Sequence, residues 1–218
     1  DTLTYAVSDG THTSTGHAFV TVSAINDAPI AVVDTLATAE DSAVTVPTAL
    51  LLGNDSDAEG DDLSITAVSG NATLNSDGTI TYTPAANAFG DDKFSYTVSD
   101  GNASSTGTVN VTTRPINDAP DVVFDTLATT EDTAVTIAAS VLLANDSDIE
   151  NNLLTVTAVS GNATLNADGT ITYIPVANAN GSDSFTYTVS DGADSSVGTV
   201  NVTVNAVNDA PVVFADTL

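Results

Sequence analysis

The sequence contains almost no basic residues. Only Lys93 and Arg114 oppose 29 acidic side chains, and the formal net charge at pH 7 is −27. Proteins that bind nucleic acid through its phosphates need clustered lysine and arginine, and so do proteins that bind anionic membrane surfaces. The charge balance therefore argues against both classes of partner.

Cysteine, methionine and tryptophan are absent, and both histidines lie within the first 17 residues. The chain therefore has no disulfide, no thiolate metal site and no histidine cluster for a transition metal. No apolar run approaches the ~18 residues that a membrane-spanning helix requires, and no signal-peptide pattern is visible. A hydrophobic content of 42% nevertheless argues against disorder.

So large a negative charge raises the question of what offsets it. Like charges keep a chain soluble but repel one another in the compact state. A bound divalent cation is the most direct way to relieve that repulsion.

A tetrapeptide organises the chain: Asn-Asp-Ala-Pro occurs at 26–29, 117–120 and 208–211, with 91 residues between successive copies. We interpret residues 26–116 and 117–207 as two full repeats, which are identical at about 60 of 91 positions. Residues 1–25 align with the end of each repeat and are interpreted as the C-terminal hairpin of a preceding one. Residues 208–218 are interpreted as the first strand of a following repeat, and the chain is therefore expected to be a fragment.

Each repeat shows the alternation of apolar and polar residues that is typical of strands. In the first repeat it covers 43–46, 63–68, 79–83, 94–98 and 108–112, and Asn75-Ser76-Asp77-Gly78 predicts a tight hairpin turn with a positive φ at Gly78. Only 47–53 and 138–144 favour a short helical turn. We therefore predict an all-β protein built from tandem Greek-key β-sandwiches of about seven strands each.

The aromatic residues fall on the inward face of the predicted strands. Tyr82, Phe94 and Tyr96 alternate with polar residues, as do their counterparts in the second repeat, and this placement predicts burial in the core. A platform for stacking sugars would need aromatic residues on the outward strand positions, which carry threonine and serine instead.

Successive loops of such a sandwich alternate between its two ends. We call the end at which the first strand of a repeat begins the upper end. The loop 54–62 and the turn 99–101 then belong to the upper end, and the loops at 40–41, 69–71 and 90–92 belong to the lower end. On this count, acidic loops at the lower end of one repeat and the upper end of the next converge on the Asn-Asp-Ala-Pro joint between them.

The convergence predicts a metal centre at each joint. Ca²⁺ takes 6–8 oxygen ligands and prefers carboxylates, whereas Mg²⁺ demands a tight octahedral site and retains its waters. We therefore expect Ca²⁺, one to three ions per joint. The candidate ligands are Asn26, Asp27, Glu40, Asp41, Asp55, Asp57, Glu59, Asp91, Asp92, Asp100, Asn117, Asp118, Glu131, Asp132, Asp146, Asp148, Glu150, Asp183, Asp191, Asn208 and Asp209.

The upper loops of the two repeats differ. Asp55-x-Asp57-x-Glu59-Gly60-x-Asp62 has the alternating acidic spacing of a calcium loop. The second repeat keeps the acidic residues at 146, 148 and 150 but has Asn151-Asn152-Leu153 in place of Gly60-Asp61-Asp62, so we expect a weaker site there. Asp77 and Asp168 precede glycine in hairpins and are expected to serve the turn alone.

Taken together, these motifs resemble the cadherin-like and bacterial Ig-like repeats of giant bacterial surface adhesins. The resemblance covers the whole chain and rests on the joint, on 54–57, on 77–84 and on 94–101. It implies β-sandwiches with Ca²⁺ between domains, serving as an extracellular extender that holds an adhesin tip away from the cell. The Asp-Arg-Glu segment of cadherins has no match here, and Asp91 and Asp92 are only positional substitutes.

Two other functions stay open, and both are non-catalytic. The chain could assemble with its own copies into a filament by strand addition, or it could bind a polysaccharide through bound Ca²⁺. Enzymatic activity is not expected, since no nucleophile–base pair recurs between the repeats. The partners expected are neighbouring repeats of the same protein, with no nucleic acid and no membrane span.

Overall fold

A computed structural model describes residues 1–211 of the chain. It divides into two compact units, Asp1–Arg114 and Pro115–Leu218, which are treated separately here. Among the described residues no helix is long and apolar enough to cross a membrane. The strand predicted at 208–218 falls largely outside the described part of the chain.

The first unit contains a hairpin and one complete sandwich. Strands β1 (Thr2–Ser8) and β2 (Thr13–Phe19) form a two-stranded sheet by themselves. The sandwich consists of β3 (Asp34–Ala39), β4 (Val44–Pro47), α1 (Thr48–Leu51) with a 3₁₀ turn (Leu52–Asn54), β5 (Ser64–Val68), β6 (Ala72–Leu74), β7 (Thr79–Tyr82), β8 (Gly90–Ser99) and β9 (Ser104–Arg114).

The seven strands lie in two sheets, with the orders β3-β9-β8-β5 and β4-β7-β6. All pairs are antiparallel except β3 and β9, which run parallel from Asp34↔Val109 to Ala39↔Arg114. The strand count and the short helical turn confirm the prediction. The loop count assumed a first strand before residue 40 but gave it no bounds, because Asp34-Thr-Leu-Ala-Thr-Ala places only one large apolar residue on an edge strand.

The second unit repeats this architecture. Its elements are β10 (Asp125–Thr130), β11 (Val135–Ala138), α2 (Ala139–Leu142), β12 (Thr155–Val159), β13 (Ala163–Leu165), β14 (Thr170–Tyr173), β15 (Gly181–Ser190) and β16 (Ser195–Asn205). The sheets have the orders β10-β16-β15-β12 and β11-β14-β13. Both repeats are therefore the predicted all-β sandwich.

Each core is built around stacked aromatic rings. Tyr82 and Phe94 stack at 5.7 Å between ring centroids, and both are buried together with Tyr96. Tyr96 lies across Gly107 so closely that a Cβ at that glycine would come 2.2 Å from Tyr96 Cζ. The inward placement predicted for these aromatics is confirmed, and a glycine in β9 is what makes room for the tyrosine.

Hairpins and loops alternate between the ends of each sandwich as expected. Gly78 has a φ of +81° in the β6–β7 turn, where Asn75 N–H donates to Thr79 O at 2.8 Å. One loop was placed wrongly. Asp91 and Asp92 lie within β8, which already begins at Gly90 opposite Thr113. The lower loop is instead formed by residues 83–89, because β8 pairs with β9 for four residues before its first inward aromatic residue, Phe94.

Candidate metal centre

The joint asparagine ties together the upper end of the first repeat. Asn26 Nδ2 donates to Asp100 Oδ2 at 2.9 Å, and Asn102 Nδ2 donates to Asn26 Oδ1 at 3.2 Å. The next residue contributes its backbone, because Asp27 N–H donates to Glu59 Oε2 at 3.1 Å. The joint, the upper loop and the β8–β9 turn therefore meet at one place, as the loop count predicted.

The upper loop itself folds around Asp57. Its Oδ1 accepts the N–H groups of Glu59 at 2.9 Å and Asp61 at 3.2 Å, and Gly60 supplies the positive φ of +80° that the turn requires. The other oxygen, Asp57 Oδ2, is buried and has no hydrogen-bond donor among the described residues. One oxygen of this carboxylate thus accepts hydrogen bonds from the loop, and the other is buried without a donor among the described residues.

The second repeat holds its joint in the same way, with different donors. Asn117 Nδ2 donates to Asp191 Oδ2 at 2.9 Å and to Asp194 Oδ2 at 3.0 Å, and Asn152 Nδ2 donates to Asn117 Oδ1 at 3.2 Å. Asp118 N–H donates to Glu150 Oε2 at 3.1 Å. Asp194 and Asn152 were not predicted, since both positions differ between the repeats.

The upper loop of the second repeat keeps its shape without the glycine. Asn151 takes its place with a φ of +61°, which asparagine tolerates better than most residues. Asp148 Oδ1 accepts the N–H of Asn152 at 2.9 Å, while Asp148 Oδ2 and Glu150 Oε1 are buried without a donor among the described residues. The shape of the loop therefore gives no reason to expect weaker cation binding in the second repeat. That prediction now depends only on Asn152 and Leu153, which replace the carboxylates of Asp61 and Asp62.

Backbone amides hold the turn carboxylates in their charged form. Asp100 Oδ1 accepts the N–H groups of Asn102 and Ala103, both at 2.6 Å. Hydrogen bonds lower the pKa of Asp100. The largest effect comes from Ala103 N–H, followed by the Asn26 side chain and Asn102 N–H. The pKa of Asp191 is lowered in the same way by Ala193, Asn117 and Asp194 N–H. Both turn aspartates therefore carry a negative charge at neutral pH, which a metal ligand requires.

Asp55 and Asp146 are placed apart from this cluster, against a buried tyrosine. Tyr96 O–H lies 2.9 Å from Asp55 Oδ2 and 3.1 Å from Asp34 Oδ2, and Val32 N–H donates to Asp55 Oδ1 at 2.8 Å. Burial raises the pKa of Asp34, and burial together with the acceptor Asp55 raises that of Tyr96.

The second repeat has the same trio in Tyr187, Asp125 and Asp146, where burial raises the pKa of Asp146. The role of Asp34 and Asp125 was missed, because the bounds of the strand that begins with each were not predicted. Two acids separated by about 20 residues and one tyrosine on an inward strand position carry no recognisable sequence signal.

The lower end of each repeat carries a buried glutamate. Glu40 is 0% and Glu131 is 4% exposed. In the second unit, Val207 N–H donates to Glu131 Oε1 at 2.5 Å, immediately before Asn208 and Asp209. Asn208 Nδ2 then donates to Asp209 O at 3.3 Å, a bond that Asn26 and Asn117 also make to the residue that follows each.

The remaining predicted ligands have structural partners at the lower end. Asp41 Oδ1 accepts Asn87 N–H at 3.1 Å, and Asp132 Oδ1 accepts Asn178 N–H at 3.0 Å. Each bond joins the loop after the first strand to the loop before the sixth. Asp41 and Asp132 therefore each use one carboxylate oxygen to connect two lower loops.

Asp92 and Asp183 each accept a tyrosine hydroxyl. Tyr82 O–H donates to Asp92 Oδ2 at 2.5 Å, and Tyr173 O–H donates to Asp183 Oδ2. These bonds lower the pKa of both aspartates, while burial and the neighbouring carboxylate raise the pKa of Tyr173 to about 12. Asp91 lies next along the strand, with Thr112 Oγ1 at 3.5 Å from its Oδ1.

Comparison with protein families assigns each repeat. Residues 26–112 match the family of bacterial Ig domains, and residues 116–205 match the family of cadherin-like domains. The two repeats are Ig-like and cadherin-like domains. Such domains are typical of extracellular adhesion or extender modules and are typically non-catalytic.

Solved structures similar to these Ig-like and cadherin-like repeats include mouse protocadherin-24 EC1-3, at 15% identity over 95% of this chain and 79% of that one, with a TM-score of 0.49. Mouse clustered PcdhgC3 EC1-3 is 16% identical over 95% and 76%, with a TM-score of 0.45. An endo-fucoidan hydrolase from glycoside hydrolase family 107 is 21% identical, with a TM-score of 0.33. The chain covers 95% of its own length in that match but 34% of the hydrolase. No curated protein matches the chain in sequence.

The donor set of the cadherin-like repeat fits calcium. It offers only carboxylate, amide and carbonyl oxygens, without nitrogen or sulfur, and hard cations with flexible coordination prefer such ligands. The described part of the chain supplies no donor to the buried oxygens Asp148 Oδ2 and Glu150 Oε1. Burying a carboxylate oxygen without a donor or a cation is costly. The upper end of the Ig-like repeat has the same character around Asp57.

Proposed function

We propose that the chain is part of a non-catalytic extender in an extracellular or cell-surface protein, and that Ca²⁺ bound at the upper end of each repeat stiffens its connection to the preceding repeat. The observation that carries the proposal is a set of buried carboxylate oxygens for which residues 1–211 supply no donor: Asp57 Oδ2, Asp148 Oδ2 and Glu150 Oε1. With only two basic residues in the sequence, a cation from solution is the available counter-charge.

The ligands we assign to calcium are those gathered around the joint. They are Asn26, Asp27, Asp57, Glu59 and Asp100 in the first repeat, and Asn117, Asp118, Asp148, Glu150 and Asp191 in the second. Glu131 supports a lower-end contribution, because it accepts a bond from Val207 just before the next Asn-Asp pair. Bound Ca²⁺ would replace mutual repulsion by shared coordination and so restrain the joint.

Small-angle X-ray scattering of the chain in excess Ca²⁺ and in EGTA tests the proposal. We expect a longer maximum dimension and a narrower range of conformations in Ca²⁺, and a smaller response to Mg²⁺. The variant with Asp148→Asn and Glu150→Gln should behave in Ca²⁺ as the parent does in EGTA. Asp168→Asn is the matched control, since Asp168 serves a hairpin turn through Thr170 N–H at 3.0 Å. The same maximum dimension in Ca²⁺ and in EGTA would contradict the proposal.

A further inference from the structure

A cavity of about 300 Å³ lies at the lower end of the first repeat, next to the loop 83–89. Its lining includes Asn71, Tyr82, Phe89, Asp91 and Asp92. The Phe89 ring is 43% exposed, although it belongs to a residue type that folding normally buries. An exposed aromatic ring beside two carboxylates and an amide is a combination that the calcium centre does not use.

The loop that carries Phe89 is held in place on both sides. Asn87 adopts a φ of +54° and donates its N–H to Asp41 Oδ1 at 3.1 Å. Ala88 N–H donates to Ala85 O at 3.2 Å, and Gly90 starts β8 with a φ of +103°. The ring is therefore presented by an ordered loop, and a ligand would lose little affinity to ordering it.

The second repeat provides a natural comparison. Its equivalent cavity measures about 160 Å³ and keeps Asn162, Tyr173 and Asp183. Four lining positions differ: Ala85, Phe89, Asp91 and Thr113 become Val176, Asn180, Ser182 and Val204. The first cavity is thus the larger of the two, and it alone has the aromatic ring, the second carboxylate and the buried hydroxyl.

We propose that the cavity of the first repeat binds one pyranose unit of a glycan that carries no negative charge, independently of Ca²⁺. A pyranose ring has an apolar C–H face, which suits the Phe89 ring, and a rim of hydroxyls, which suits carboxylate and amide partners. The volume is at the lower limit of small-molecule sites, ~300 Å³, which fits a single sugar unit. Asp91 and Asp92 would repel uronates and sulfated sugars.

The sequence gives no sign of this site, because Phe89 lies outside the predicted strands, whose outward positions carry threonine and serine. Phe89 lies one residue before a strand, in a run of alanine and asparagine that gives no periodic signal. Its exposure follows from the loop conformation, which only the structure supplies.

The test is binding of the whole chain to immobilised glycans in EGTA. The probes are uncharged, amino-bearing, uronate-containing and sulfated polysaccharides, followed by titration calorimetry with oligosaccharides of the retained class. We expect retention of uncharged or amino-bearing glycans only. Phe89→Asn should weaken binding about tenfold, since it removes the stacking face, and Asp91→Ser should weaken it too. Both substitutions introduce the residue that the second repeat has at the same position, so the fold should accept them.

The reverse variant, with Val176→Ala, Asn180→Phe, Ser182→Asp and Val204→Thr, restores all four differing positions and should add a second site to the chain. Asn178→Ala serves as the control, since it alters the second loop without adding a ring or a charge. The absence of binding to every probe, a preference for anionic glycans, or unchanged affinity in Phe89→Asn would overturn the proposal. Binding that requires Ca²⁺ would overturn it as well, while leaving the calcium centre standing.

Discussion

Removing the buried hydroxyl of Tyr96 is a direct test of how the chain tolerates paired carboxylates in its interior. That hydroxyl lies between Asp34 Oδ2 at 3.1 Å and Asp55 Oδ2 at 2.9 Å, so these two oxygens are no more than about 6 Å apart. At an effective dielectric constant of ~20, two unit charges at ~6 Å repel by about 3 kcal/mol. The tyrosine O–H lies between the two carboxylates and moderates this repulsion as a shared hydrogen-bond donor.

In Tyr96→Phe the proton is lost while the ring stays. A hydrogen bond to a charged group contributes about 1.5–3 kcal/mol, so we expect the opening free energy of the first repeat to fall by about 2 kcal/mol at pH 7. Burial raises the pKa of Asp34, so near pH 4 a protonated carboxyl replaces the missing donor and the loss should shrink. Asp34→Asn should rescue the variant at pH 7, because its amide can donate to Asp55.

Hydrogen exchange followed by mass spectrometry in EGTA is the assay, because it reports on each repeat separately. Peptides from β15 and β16, in the second repeat, provide the internal reference. In Tyr187→Phe the second repeat should be destabilised instead, and peptides from β8 and β9 become the reference. Tyr82→Phe is the matched control, since its partner Asp92 is exposed to water, and it should cost less than about 1 kcal/mol. An equal loss at pH 4 and pH 7, or no rescue by Asp34→Asn, would refute the reasoning.

Three further predictions concern calcium, pH and the core. Ca²⁺ at 100 times its dissociation constant should stabilise each site by about 2.7 kcal/mol; Glu150→Gln should abolish this gain in the second repeat without reducing stability in EGTA, as measured by calorimetry. Because their pKa values are lowered, Asp100 and Asp191 should titrate below the ordinary value of 3.8 and contribute stability that is lost as the pH falls through those values. Asp34 and Asp146 should titrate above it, and stability should fall as the pH rises through their values; carbon-detected NMR titration in EGTA distinguishes the two groups. Gly107→Ala would place a Cβ 2.2 Å from Tyr96 Cζ and should cost about 3 kcal/mol by urea denaturation, whereas Gly53→Ala, which meets nothing within 4 Å, should be neutral.

The sequence predicted the sandwich well because its inward positions alternate strictly in the central strands. The alternation of Phe94, Tyr96 and Val98 with polar residues identifies strand β8. Because successive strands run in opposite directions, the end of the sandwich at which each loop lies then follows. The loop directions predicted that the joint, the upper loop and the β8–β9 turn lie together. In the structure Asn26 donates to Asp100, and Asp27 N–H donates to Glu59.

What the sequence could not supply were contacts that depend on backbone course rather than on period. The parallel pairing of β3 with β9 brings Asp34 under Tyr96, and the extension of β8 to Gly90 moves Asp92 from a loop to a tyrosine partner. Asp55 and Asp57 are two residues apart and were predicted to share one role. Between them Ser56 pairs with Ile30, so Asp55 turns to the tyrosine and Asp57 closes the upper loop.

The differences between the two repeats separate the calcium centre from the cavity. Every assigned ligand of the first upper end has an identical counterpart 91 residues later, although about a third of all positions differ. The cavity differs at four positions, and each change removes room, a ring, a charge or a hydroxyl from the second copy. The proposal of a calcium centre at each joint requires its ligands to recur, as these do. The proposed pocket has no such requirement, because a single repeat that carries it is enough to bind a glycan.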